Sequence, residues 1–106
     1  MSSSEIEESK KAAIAIKAAR TAAGLSQVEF AKMISVSKAT LARIETLEMP
    51  IRLEVYFNAV RELKKMGIEM DATSGEDIIL KINPEGQLRI VQYWAEMSNR
   101  RVDKKR

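Results

Sequence analysis

Lys38, Ala39, Ala42 and Arg43 are the residues whose types and spacing carry chemistry in this chain. They fall in one short segment with the apolar Leu41 and Ile44 between and after them. On a helix, those two apolar residues turn inward and the other four share the opposite arc. Arginine matches the N7 and O6 acceptors of guanine, and such a bidentate contact discriminates by ~1–3 kcal/mol. Lysine reads a guanine or binds a phosphate. Alanine lets the backbone approach closely and touch a thymine methyl. The hydroxyls of Ser37, Thr40 and Thr46 lie along the flanks and ends, where they suit phosphate oxygens.

The elements that must position this arc are legible around it. Gln27 to Thr46 reads as two short helices joined by a tight turn. In a twenty-residue unit starting at Gln27, the apolar Phe30, Ile34, Val36, Leu41 and Ile44 occupy the places that meet between the helices. Ala31 is small where the helices cross. Ser26 and Glu29 form an S-x-x-E capping box for the first of the two, and Ser37 caps the second, predicted from about Lys38 to Glu45. Gln27 stands at the N-terminus of the first, where free amides and the helix dipole favour a phosphate.

From Ile16 to Gly67 the chain resembles the lambda-repressor-like, or XRE-type, helix-turn-helix regulators. The resemblance is carried by Ile16, Arg20, Gly24-Leu25-Ser26-Gln27, Phe30-Ala31, Val36-Ser37, Leu41 and Ile44-Glu45. It implies a mainly α, four- to five-helix DNA-binding domain. It implies DNA contacts at Gln27, Lys38, Ala39 and Arg43, and a structural ion pair between Arg20 and Glu45. Two positions depart from the family pattern. Ser35 stands where a left-handed glycine is usual, at a cost of roughly 1 kcal/mol. Leu47 stands where a glycine often follows the Ile-Glu pair.

Composition narrows the function classes. The chain has 106 residues and a net charge of +3, with neither cysteine nor histidine. Thiolate chemistry and the commonest general base and metal ligand are therefore absent. No glycine-rich phosphate loop or carboxylate cluster is present, so no catalytic residues, no metal site and no cofactor are assigned. The lack of a long apolar run and of a signal-like N-terminus predicts a cytoplasmic protein, nucleoid-associated through DNA, with no membrane partner. Charge is segregated: residues 78–106 hold seven basic against three acidic residues, and residues 48–77 hold four against seven. A basic end suits a polyanion or merely solubilises the chain.

Outside the central unit, Ser4 and Glu7 suggest a capping box opening an alanine-rich helix that Gly24 ends. Leu53, Tyr56, Phe57, Val60 and Leu63 recur at helical spacing and are predicted as a core face. Beyond Gly67 the period changes. Residues 77–82 and 88–93 are rich in β-branched and apolar side chains, and Asn83-Pro84-Glu85-Gly86 between them reads as a hairpin turn. Ile68-Glu69-Met70 could add a third strand. A two-stranded ribbon is barely stable alone. Ile78, Ile79, Leu80, Ile82, Leu88, Ile90, Val91 and Tyr93 are accordingly predicted to join a second copy, the competing reading being that the ribbon folds back on its own helices.

The expected organisation is an N-terminal helical extension or arm over 1–15, a helix-turn-helix DNA-binding domain over 16–67, a β-hairpin dimerisation segment over 68–94 and a basic tail over 95–106. The expected function is a dimeric repressor that binds an inverted-repeat operator in double-stranded DNA and occludes a promoter. The alternative is a DNA-binding antitoxin with a toxin partner.

Overall fold

The computed structural model describes the backbone of residues 3–105 and the side chains of residues 8–99. The order is α1 (Ser3–Ala23), α2 (Gln27–Met33), α3 (Lys38–Glu45), α4 (Leu53–Lys65), β1 (Ile68–Asp71), β2 (Ile79–Ile82) and α5 (Pro84–Lys105). The fold is mainly helical with one antiparallel hairpin in the C-terminal part. The suggested Ser4–Glu7 capping box lies outside the described side chains.

Burial follows the apolar spacing. Ile16 and Ala19 of α1, Phe30 and Ala31 of α2, Leu41 of α3, and Ala59 and Leu63 of α4 form one core with Ile68 of β1. The predicted wedge is realised: Phe30, Ile34, Leu41 and Ile44 are fully buried and Val36 is half-buried. On α4 the buried face is Val55, Tyr56, Ala59 and Leu63. Sequence spacing puts Leu53 and Phe57 in that face, yet both are exposed. The helix is rotated so that Tyr56 points inward, where its hydroxyl accepts a hydrogen bond from the Ala72 amide at 3.1 Å. That rotation swings Leu53 and Phe57 to the flank.

The hairpin keeps the expected strand within 77–82, but its partner is the suggested third strand at 68–71 and not residues 88–93. β1 pairs with β2 from Ile68↔Ile82 to Asp71↔Ile79. Residues 84–105 are helix, so Leu88, Ile90, Val91 and Tyr93 are helical residues, as are residues 95–105 of the expected basic tail. The physical reason lies at Asn83-Pro84. The Asn83 carboxamide oxygen accepts from the Gly86 amide at 2.8 Å, and its backbone carbonyl accepts from the Gln87 amide at 2.9 Å. Asn83 thus acts as an N-cap with proline in the first turn, where its missing N–H costs nothing. The same four residues suit a turn or a helix start. The period-3.6 burial of Ile90, Tyr93 and Met97 decides for the helix.

Four helices end on a residue in the left-handed region: Gly24, Ser35, Leu47 and Gly67, with φ of 76°, 63°, 65° and 84°. For α2, the Val36 amide donates to the Ala31 carbonyl at 3.0 Å; for α3, the Glu48 amide donates to the Arg43 carbonyl at 2.8 Å. These are the reverse-turn bonds of a Schellman ending. The backbone that the family builds with glycine is therefore retained with serine and leucine.

These endings can be tested by substitution. Ser35→Gly should raise unfolding stability by about 0.5–1 kcal/mol in urea titration, because relief of left-handed strain exceeds the added chain entropy. Gly67→Ala should cost about 3 kcal/mol: a Cβ there would meet the Asn83 carboxamide oxygen and, at 2.6 Å, the Gly86 amide nitrogen. An unchanged midpoint in the Gly67→Ala variant would refute the close approach of Gly67 to the start of α5.

Candidate nucleic-acid interface

The interface is assembled from the interior outward. Arg20 on α1 donates from Nε to Glu45 Oε2 at 2.7 Å and from Nη2 to Oε1 at 2.9 Å. Its Nη1 donates to the Leu25 carbonyl at 2.8 Å. Gln27, the first residue of α2, donates from Nε2 to Glu45 Oε1 at 3.0 Å. One carboxylate at the end of α3 therefore ties α1, α2 and α3 together. The Glu45 side chain is only 2% exposed, and that of Arg20 15%. Burial drives the Glu45 carboxyl towards a higher pKa. The hydrogen bonds from Arg20 and Gln27, with the charges of Arg20 and Lys17, outweigh it and hold the group below the ordinary carboxylate range.

With Glu45, Leu41 and Ile44 buried, the far side of α3 is free. Lys38, Ala39 and Arg43 are exposed, and Ala42 and Thr40 are half-exposed. The four residues assigned to bases thus share the outward arc of one anchored helix. Ser37 caps that helix by accepting from the Thr40 amide at 3.0 Å, and the two hydroxyls lie 2.9 Å apart. Both remain on the surface beside Lys38. Thr46 closes the helix; its hydroxyl lies 3.0 Å from the Ala42 carbonyl and 2.6 Å from a Glu48 carboxylate oxygen. Thr46 is thus engaged locally and next to a negative charge.

Gln27 carries two features that sequence spacing does not connect. It sits at the α2 N-terminus, as expected, and its amide nitrogen is bonded to Glu45. The helical spacing of Glu45 from Leu41 and Ile44 is the available signal, since it turns the carboxylate towards the α1–α2 corner.

Among the described residues, no group of three or more acidic side chains could hold a metal ion, and no helix is long and apolar enough to cross a membrane. The inward packing of two short helices across a left-handed turn, with one capped helix outermost, is the arrangement of a helix-turn-helix unit, and with the family match below it supports a DNA-binding transcriptional regulator. Residues 16–66 match the family model described as Helix-turn-helix, and this segment is a helix-turn-helix domain of the XRE or lambda-repressor-like type. The chain matches no curated protein and no solved structure.

The ion pair sets a stability prediction. Arg20→Ala leaves Glu45 buried without its main partner and should cost about 3–5 kcal/mol, and replacing both residues by alanine should cost less. The Glu45 pKa is depressed on folding, so its contribution is fully present above the ordinary carboxyl value of 4.5 and is lost as pH falls through the lower folded pKa. Denaturation midpoints followed from about pH 7 to about pH 3 should therefore drop for the natural chain and drop less for Glu45→Gln.

Proposed function

We propose that the protein is a sequence-specific repressor that binds double-stranded DNA as a homodimer at a short inverted repeat and blocks a promoter, its own included. One observation carries this reading. Lys38, Ala39 and Arg43 stand exposed on a helix whose other side is fixed by a buried core and a buried ion pair. A helix held this rigidly reads base edges without first incurring an ordering cost.

In this reading α3 enters the major groove N-terminus first. Lys38 and Ala39 reach deepest, and Arg43, one turn later, pairs with a guanine. Ala42 keeps the backbone close to the bases. Gln27, Ser37 and Thr40 hold the phosphates on either side and fix register. Thr46 contributes only by releasing its contact with Glu48. A single α3 offers few base contacts, so useful specificity requires two copies on half-sites about one helical turn apart. Covering that site excludes polymerase, and binding places the protein on the nucleoid.

A second reading keeps the DNA contacts and adds a protein ligand, as in an antitoxin that neutralises a toxin. The exposed apolar pair Leu53 and Phe57 on α4 favours it. Co-purification of a small toxin encoded beside this gene separates the two.

Footprinting on the DNA flanking the gene locates the operator. On that site, Arg43→Ala should weaken binding by ~1–3 kcal/mol while leaving random DNA nearly unaffected. Equal losses on both would reduce Arg43 to a phosphate contact. Gln27→Ala should lower affinity for both DNAs with sequence preference retained.

A further inference from the structure

We propose that two copies of this chain join through the bare apolar arc of α5, with a two-fold axis passing beside Val91. The proposal rests on the regulator reading above and supplies the partner that reading needs.

Around α5, the side chains of residues 85–99 divide into three arcs. Ile90, buried, and Tyr93 and Met97, half-buried, face the body of the domain. Glu85, Arg89, Gln92, Glu96 and Asn99 are exposed and form the polar arc that water requires. The third arc carries Leu88, Val91 and Trp94, which are 58%, 60% and 57% exposed. These three recur every third residue, so successive members are offset by about 60° around the helix and form one surface. Gln87, Ala95 and Ser98 lie on the same arc and add no charge.

An amphipathic helix has one polar arc, and this one already has it. A second exposed arc that is uncharged and dominated by three large apolar side chains marks an interface. The arc is also self-complementary. Antiparallel pairing about Val91 sets Val91 against Val91 and places each Leu88 against the Trp94 of the partner, since both lie three residues from the axis. A large ring thus meets a branched chain at each end, and no like charges are opposed. Such an isologous contact is the usual route to a closed dimer. The interface replaces the shared sheet expected from sequence. It keeps Leu88 and Val91, adds Trp94, and assigns Ile90 and Tyr93 to the body of their own domain.

Trp94 is the sole tryptophan and reports directly. The full chain should sediment as a dimer, and its tryptophan emission should move to longer wavelength on dilution as mass falls to the monomer. Val91→Glu should raise the dimer dissociation constant ~100-fold or more, because two carboxylates would meet at the axis. Gln92→Glu, on the neighbouring polar arc, should leave it within a few-fold. A natural chain that is monomeric with emission independent of concentration overturns the proposal. So does a dimer that survives Val91→Glu and is broken by Phe57→Glu, which would move the contact to α4. A monomer that still footprints one half-site removes this interface and the homodimer and leaves only the α3 contacts to DNA. A dimer with no operator preference does the reverse.

Discussion

The Glu45 carboxylate is the constraint on which the domain depends. It is buried at the junction of three helices and accepts from two of them. A buried charge without partners is costly, so the three helices have one relative arrangement that satisfies it. The ion pair need not add net stability to matter. It fixes how far α3 is rotated about its own axis, and that rotation decides which side chains face outward. Leu41 and Ile44 seat the helix, and Glu45 sets its phase. Arg43, two residues from the carboxylate, is exposed as a direct consequence.

Backbone geometry supplies the second constraint. α2 and α3 both terminate through a left-handed residue, and neither is glycine. The chain accepts strain at Ser35 and Leu47 because the turns they make are dictated by packing on both sides. Val36 immediately follows one and is drawn against the core; Glu48 follows the other and closes on Arg43. Local preference is overruled where the core demands a particular path.

The central unit is legible in the sequence because two helices and their turn constrain one another. Phe30, Ile34, Leu41 and Ile44 make sense only if both helices exist, and the capping residues Ser26 and Ser37 mark their starts. Beyond Gly67 that mutual constraint is missing. Residues 88–93 are apolar on several sides, because one side meets the domain and another is bare, and a helix of that kind shows no clean period of 3.6. Asn83-Pro84 serves a turn and a helix N-terminus equally well. Ile68–Asp71, readable as a possible strand, is the partner of 79–82 because the intervening acidic loop lets the chain return. On α4, five apolar residues compete for one face, and spacing alone does not say that Leu53 and Phe57 lose.

The proposed readout depends on α3 lying in the major groove, and guanine N7 is accessible only there. Methylation interference at N7, on duplexes selected by the protein from a random pool, tests it most directly. The account predicts interference at guanines in two symmetric clusters about one helical turn apart, with the pattern at one guanine of each cluster erased in Arg43→Ala. Binding that tolerates N7 methylation throughout would contradict it.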